Sequence, residues 1–366
     1  MTRIEWCDAT WQVVSGCSPI SEGCRNCYSA RLAGTRLRNH PRAAGLARQA
    51  EDGRYVWTGE VRCHEDQLDV PLRWRKPKRI FVGDRGDLFH PDVPDDFLDR
   101  VFATMALCPD HTFLLLTKRV ERAKKYLTDD GVCGRIHNEA CQMTDNDWFV
   151  VGGISESNQI DGKYHETGWP LPNVWLGVSV EDQATAEERI PYLLETPAAL
   201  RFLSCEPLLG MVNLTRINVT AEWRNTAEMN SLKGEVWLPG NCGESSRTFR
   251  DLPHLDWVIV GGESGPHARP MHPDWARSLR DQCVRAGVPL HFKQWGEWQT
   301  VYDRDQDDPD WRRCPRPDEK TTRYLNLAGG HGFHGERVVF VRRVGKKRSG
   351  RLLDGQLHNN IPKVSP

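Results

Sequence analysis

The sequence carries almost no net charge, with 49 Lys and Arg against 50 Asp and Glu in 366 residues. That balance excludes a uniformly basic nucleic-acid binder and an acidic disordered chain, because neither keeps a total near zero beside 39% hydrophobic residues. Any attraction to nucleic acid then has to come from local patches. No apolar run reaches the roughly 18 residues of a membrane span, and the start, Met1-Thr2-Arg3-Ile4-Glu5-Trp6, has no apolar h-region. A cytoplasmic chain without a membrane-embedded part is the expectation. The length suits one large domain or two ordinary ones.

Cysteine, by contrast, is plentiful, at 12 residues. In a reducing compartment these serve burial, metal binding or catalysis rather than disulfides. Cys7, Cys63, Cys108, Cys133, Cys141, Cys205, Cys242, Cys283 and Cys314 are scattered singly, mostly beside apolar residues, and read as small core residues. Cys17, Cys24 and Cys27 fall within eleven residues of a segment rich in Gly, Ser and Pro, and form the one cluster.

Short apolar runs predict strands at Trp11-Val14, Arg79-Val82, Thr112-Leu116, Val174-Val178, Leu200-Leu203, Trp257-Val260 and Leu290-Phe292. Helical patterns lie between them, at Asn26 to Arg38, Pro94 to Leu107, Val120 to Leu127, Asp182 to Glu195 and Pro273 to Ala286. This alternation argues for parallel strands with helical crossovers. No Gly-x-Gly-x-x-Gly opens the first crossover, so a partial (β/α) TIM-type barrel fits better than a doubly wound sheet. Residues 1–298 would form the barrel, with polar loop insertions near 131–172 and 215–252, the second partly ordered around Val236-Trp237-Leu238. Residues 299–366 would add an Asp-rich surface loop or linker around 303–310 and a small C-terminal β extension, a hairpin within Thr321 to Val344.

In a barrel, chemistry sits where strands end. Each predicted strand exits into polar groups: the cysteine loop, then Asp84 and Asp87, Lys118 and Arg119, Ser179 and Glu181, Ser204 and Glu206, Gly261-Gly262-Glu263, and Lys293 with Trp295. Carboxylates accept from ammonium and hydroxyl groups while Lys and Arg hold anions, so a mouth of this kind grips a zwitterionic or phosphorylated ligand. Lys118, Glu206 and Lys293 are its candidate catalytic residues. The three cysteines are open to three readings. A zinc knuckle would recruit a fourth ligand from His40, His64 or Cys63. Inert core thiols are disfavoured by the Gly, Ser and Pro neighbours. An iron–sulfur cluster suits soft thiolates, and three Cys on a four-iron cluster leave one iron open to a small chelating molecule.

The stretches Trp11 to Tyr28, Asp87 to Pro94, Leu115 to Arg119, Asn173 to Glu181, Leu203 to Leu208, Val260 to Gly265, Phe292 to Trp298 and Gly350 to Gly355 closely resemble the phage-associated three-cysteine-motif proteins. That family is similar to the radical SAM enzymes. The resemblance implies that Cys17, Cys24 and Cys27 ligate a [4Fe-4S] cluster and that S-adenosylmethionine chelates its open iron. The usual spacing is Cys-x3-Cys-x2-Cys, whereas this chain has Cys17-x6-Cys24-x2-Cys27, a longer first gap. The resemblance further implies that Asp84 or Asp87 accepts from the cofactor's amino group. Ser179, Glu181, Ser204 and Glu206 would contact its ribose and carboxylate, while Gly261, Gly262 and Glu263 line the pocket. A reductant, flavodoxin or ferredoxin, is implied, and a partner protein is open.

The substrate side rests on charge. Six Arg (25, 31, 36, 38, 42, 48) and no acid lie between Gly23 and Ala50, and seven basic residues and no acid between Arg337 and Arg351. A further basic cluster surrounds Trp74. Basic groups interleaved with aromatics follow a phosphate backbone and stack bases, although a solvated basic face has the same composition. Arg25, Arg31, Arg119 and Trp295 are the candidate contacts to a nucleic-acid or nucleotide substrate. The resulting expectation is a radical SAM enzyme that modifies or repairs nucleic acid, the alternative a zinc-stabilised nucleic-acid-binding protein without turnover.

Overall fold

A computed structural model describes residues 4–144, 149–151, 165–220, 226–240, 245–308, 310, 312–318 and 320–363. The chain divides into two compact units, one of Met1–Ile20, Ser29–Val178 and Tyr192–Phe202, the other of Ser21–Tyr28, Ser179–Pro191 and Leu203–Pro366.

The first unit contains β1 (Ala9–Trp11), β2 (Val14–Ser15), α1 (Tyr28–Gly34), β3 (Ala47–Gln49), β4 (Tyr55–Trp57), β5 (Arg62–Cys63), β6 (Arg79–Val82), α2 (Asp95–Ala106), β7 (Thr112–Thr117), α3 (Val120–Leu127), α4 (Val132–Thr144), β8 (Phe149–Val151), β9 (His165–Thr167) and β10 (Val174–Ser179), whose last residue opens the second unit. The second unit contains most of α5 (Gln183–Glu195), the end of β11 (Leu200–Cys205), β12 (Ile217–Thr220), β13 (Thr226–Asn230), β14 (Glu235–Leu238), β15 (Arg247–Phe249), β16 (Trp257–Gly261), α6 (Pro273–Ala286), β17 (Leu290–Gln294), β18 (Trp298–Asp303), α7 (Arg304–Asp307), β19 (Thr322–Leu325) and β20 (Val339–Arg343).

Seven strands form one sheet in the order β1-β6-β7-β10-β11-β16-β17. The printed register of β1, β6, β7 and β10, and of β16 with β17, is parallel. The sheet is curled and flanked by helices, a half-barrel with β1 and β17 at its two edges. Parallel strands covered on both faces read as continuous apolar runs, and β10 and β16 are buried along their whole length. Gly177 in β10 allows close packing, since a Cβ there would lie 2.5 Å from the Phe202 ring. In α2, Asp95 and Asp96 occupy the first turn and Phe97, Leu98, Val101, Phe102 and Met105 face inward. In α6, His272 caps the Asp274 amide, Pro273 starts the helix and Gly287 ends it at φ 74°.

The strand positions match the apolar runs, but their ends do not. β1 stops at Trp11, and a second short strand, β2, intervenes before the cysteines. At their C-termini β7, β10, β11 and β17 run one to two residues further than the apolar runs, taking in Thr117, Ser179, Ser204, Cys205, Lys293 and Gln294. Helix α1 covers only Tyr28–Gly34 rather than Asn26 to Arg38. The region near 131–172 is not merely a loop: α4 buries Val132, Ile136 and Ala140 at four-residue spacing, while residues 145–148 and 152–164 lie outside the described residues. The second insertion is a four-stranded antiparallel sheet, β12-β13-β14-β15. The C-terminal hairpin, β19 with β20, is joined by β18 in a three-stranded sheet whose core is Ala268, Trp298, Leu325, Val339 and Val341.

The Asp-rich segment is a solvated surface only in part, at the exposed Asp307 and Asp310. Asp303 and Asp308 are buried, Asp303 caps α7, and its carboxylate accepts from Arg337 Nη2 at 2.9 Å. Of the scattered cysteines, Cys7, Cys108, Cys205 and Cys283 are buried, whereas Cys63, Cys133, Cys141 and Cys314 are only half-buried. Cys242 lies outside the described residues. Among the described residues no helix is long and apolar enough to cross a membrane.

Candidate functional site

In the first unit β2 pairs antiparallel with β5 and leads into Gly16 and Cys17. Gly16 has φ 92°, and a Cβ there would lie 2.1 Å from the Glu60 carbonyl oxygen, so the turn requires glycine. Ser15 Oγ is 2.8 Å from His64 Nε2. Burial, reinforced by Arg42, lowers His64 to about 4. Burial, with Glu65 and Asp96, also raises the Cys63 thiol to about 11. Of the three candidate fourth ligands for zinc, His64 is hydrogen-bonded to Ser15, Cys63 is half-buried on β5, and His40 Nδ1 accepts from the Arg42 amide at 3.2 Å.

Cys17 meets a cation. Arg119 Nη1 lies 3.4 Å from Cys17 Sγ and 3.0 Å from Asp87 Oδ2, and Nη2 donates to Ser18 O at 2.7 Å and Ser18 Oγ at 2.9 Å. Ser18 Oγ is also 2.8 Å from His90 Nε2. Although burial pulls the guanidinium down, Asp87 and Cys17 outweigh it and hold Arg119 above its ordinary value. Asp87 is a hub. Its Oδ1 accepts from Thr117 Oγ1 at 2.7 Å and the Phe89 amide at 3.0 Å, its Oδ2 from the Lys118 amide at 3.2 Å and Arg119. Four donors use a carboxylate's full capacity, so Asp87 is wholly taken up within the first unit, while Asp84 Oδ1 faces Arg85 Nε at 3.7 Å. Burial raises the Asp84 carboxyl, against the opposing pull of Arg85.

The second unit presents Cys24 and Cys27. A short turn, Glu22–Cys24, places the Cys24 amide 2.9 Å from Ser21 O, and the Cys27 amide donates to Cys24 O at 3.2 Å. Two acid–arginine pairs hold this segment. Glu181, 1% exposed, accepts from Ser21 Oγ at 3.0 Å and from Arg189 Nη1 at 3.1 Å, and Arg189 Nη1 also donates to Ser179 O at 2.7 Å. The Glu181 carboxylate lies so close to Gly23 that a Cβ there would come within 2.4 Å of it. Glu263, also buried, accepts from Asn26 Nδ2 at 2.9 Å, the Arg269 amide at 2.7 Å, Arg269 Nε at 3.0 Å and Arg269 Nη2 at 2.7 Å. Arg269 Nη2 continues to Glu22 O at 2.9 Å.

Elsewhere in the second unit, the ends of β11, β16 and β17 assemble a separate cluster. Lys293 Nζ donates to both Glu206 oxygens, at 3.0 and 2.8 Å, and Gln294 Nε2 reaches Glu206 Oε1 at 3.2 Å and Gly262 O at 2.8 Å. Gly261 gives Glu206 room, since a Cβ would lie 3.2 Å from its carboxyl carbon, and Gly262 passes beside the Trp295 carbonyl, where a Cβ would lie at 2.1 Å. Glu206 and Lys293 keep 22% and 15% of their side-chain surface exposed. Ser179 and Ser204 are buried at strand ends.

The proposed substrate contacts divide. Arg119 is 9% exposed and fully engaged, and Trp295 donates Nε1 to Leu352 O at 2.8 Å and packs its ring on Phe292. Trp295 is half-buried, and its contact with Phe292 is edge-on. Arg25 and Arg31 are exposed, as are Arg36, Arg38 and Arg48. Arg31, Arg36, Arg38 and Arg48 form no ion pair among the described residues. In the C-terminal basic stretch, Arg337 is taken up by Asp274 and Asp303.

Sequence reasoning did not single out Ser18, Asn26, Arg189 or Arg269. A signal for Arg189 existed, because it falls on the apolar stripe of α5 between the buried Ala186 and Leu193. Among the described residues, no group of three or more His, Cys, Asp or Glu side chains is gathered to hold a single metal ion. A family model described as "Protein of unknown function (DUF5131)" matches residues 1–362. No curated protein and no solved structure matches the chain.

Proposed function

We propose that this chain, which belongs to the DUF5131 family, is a radical SAM-like iron–sulfur enzyme acting on nucleic acid or a nucleotide. In this reading Cys17, Cys24 and Cys27 hold a [4Fe-4S] cluster. Bound there with S-adenosylmethionine, and reduced by a flavodoxin or ferredoxin, the cluster would supply a 5′-deoxyadenosyl radical.

The observation that carries the reading is the guanidinium of Arg119 on the Cys17 thiol. The thiolate, not the thiol, ligates iron, and an adjacent fixed cation favours it. The motif cysteines also differ in surroundings from the buried ones. Burial raises Cys108 and Cys283 to about 12, which makes them inert, whereas Cys17, Cys24 and Cys27 are half-exposed among polar groups. The donor set therefore fits a soft-metal cluster. Glu206 and Lys293, which keep part of their side-chain surface exposed, would meet a zwitterionic cofactor, since Asp87 and Glu263 already accept four hydrogen bonds each. Arg31, Arg36, Arg38 and Arg48 offer the unpaired cations that a phosphate backbone requires.

The test is anaerobic reconstitution with iron and sulfide, then reduction with S-adenosylmethionine present. Formation of 5′-deoxyadenosine is expected. A protein that binds the cluster but never yields 5′-deoxyadenosine refutes the chemistry, and one that takes up zinc alone refutes the cluster.

A further inference from the structure

We infer that Glu181 and Glu263 are positioning residues for the cysteine segment Ser21–Cys27 rather than cofactor ligands. The inference rests on the reading above only in naming what the cysteines hold.

The argument starts from the cost of burial. A carboxylate withdrawn from water needs a cation and further donors, otherwise it takes up a proton. Both glutamates are satisfied, but by an unusual division of partners. One side of each is an arginine from the same unit. The other side is the cysteine segment itself, through Ser21 for Glu181 and Asn26 for Glu263. Asn26 lies between Cys24 and Cys27, so its amide fixes the turn from inside, and it also donates to His267 O at 2.9 Å. Arg269 closes the arrangement by donating to the carbonyl of Glu22, at the start of the same turn. The segment is thus tied at Ser21, Glu22 and Asn26.

Short loops rich in Gly and Ser have little intrinsic rigidity. Here Gly23 leaves space for the Glu181 carboxylate, which a larger residue would displace. Residues of this kind, one bond removed from the ligands, orient them and govern their affinity. A cofactor ligand would instead keep an oxygen open to its ligand. Glu263 Oε2 takes three donors, Asn26 Nδ2, the Arg269 amide and Arg269 Nε, and Oε1 takes Arg269 Nη2, so each oxygen is already turned to the loop or to its arginine.

The test uses the metal-free full-length protein, with iodoacetamide as the probe and peptide mass spectrometry to read each cysteine. In Glu263→Ala, alkylation of Cys24 and Cys27 should accelerate roughly ten-fold over wild type, with Cys17 unchanged. Arg269→Lys, which keeps a cation against Glu263 but loses the fork to Glu22 O, should fall between. Glu181→Gln guards against a misfolded variant, because it keeps the volume and one acceptor while losing the charge, and it too should accelerate Cys24. Leu279→Ala, a core change in α6 remote from the segment, controls for general loosening. Equal alkylation in wild type and Glu263→Ala overturns the inference, as does acceleration in Leu279→Ala of the same size. So does a Glu263→Gln protein with normal alkylation that binds S-adenosylmethionine more weakly, since that is the behaviour of a cofactor ligand. The alkylation contrast needs no iron, so a failure of cluster formation in wild type would strike the enzymatic reading and leave this one standing.

Discussion

Cys17 and the Cys24–Cys27 segment are held by opposite means. At Cys17 a cation touches the sulfur itself, and the carboxylate behind it, Asp87, anchors the cation. At Cys24 and Cys27 the order is reversed: carboxylates reach the loop, through Ser21 and Asn26, and arginines stand behind them. The first arrangement sets a guanidinium against one sulfur, the second holds the loop that carries the other two. A glycine at each place, Gly16 and Gly23, admits the backbone or carboxylate that a side chain would exclude. The first can therefore be disturbed at the cation that touches the sulfur, the second at the carboxylates that hold its loop.

The largest effect is expected where a charge would be left buried without its partner. Glu181→Ala strands Arg189, itself 1% exposed, and should cost about 3–5 kcal/mol in urea unfolding. A loss below about 1 kcal/mol would mean that the pair does not brace the second region. Next comes acid. The imidazole of His64 takes a proton near pH 6.5 when unfolded but near 4 when native, because burial and Arg42 oppose its charge. Between those values the unfolded chain binds more protons, so stability is complete above pH 6.5 and falls as pH drops toward 4, by up to about 3 kcal/mol. His64→Gln should flatten that part of the stability curve; an unchanged slope would remove His64 from the support of Ser15 and the approach to Cys17.

A smaller and more selective effect is expected at Arg119. Arg119→Gln removes the cation from Cys17 and should slow its alkylation at neutral pH roughly five-fold, with Cys24 and Cys27 unaffected, because the thiolate is the reacting form. An equal slowing of all three would erase the distinction between the two regions. Least affected should be stability in Arg36→Ala, Arg38→Ala and Arg48→Ala, within about 0.5 kcal/mol. If these arginines meet phosphates, each substitution should reduce the salt slope of single-stranded nucleic-acid binding by about 0.7. An unaltered slope would return them to an ordinary solvated face.

The sequence made the sheet legible because parallel strands buried on both faces leave apolar runs, as β10 and β16 do. Their ends were less legible, since Ser179, Ser204 and Lys293 are polar yet remain in strand. The sheet β12–β15 left a trace only at Val236-Trp237-Leu238, in β14: Arg247, Thr248 and Phe249 are all exposed, so β15 lacks the alternation of a half-buried strand. Helix α4 was hidden for a related reason, its buried stripe being only Val132, Ile136 and Ala140. In the candidate site, the cysteines announced themselves by spacing, and Glu181 and Glu263 by their place after strands. Their partners did not. Arg189 stands beside Glu187 and Glu188, and only its place on the apolar stripe of α5 hints at burial; Arg269 lies in a loop, where composition suggests solvated charge, and the fold sets it against buried Glu263.

The central claim is that the two cysteine regions serve one iron–sulfur cluster. Iron and acid-labile sulfide per chain, measured after anaerobic reconstitution of wild type and of Cys17→Ala, Cys24→Ala, Cys27→Ala and Cys63→Ala, tests it most directly. About four of each per chain are expected in wild type and in Cys63→Ala, with loss in each of the other three. Less than one iron per chain in wild type, or retention of the full complement in any of those three variants, would contradict it.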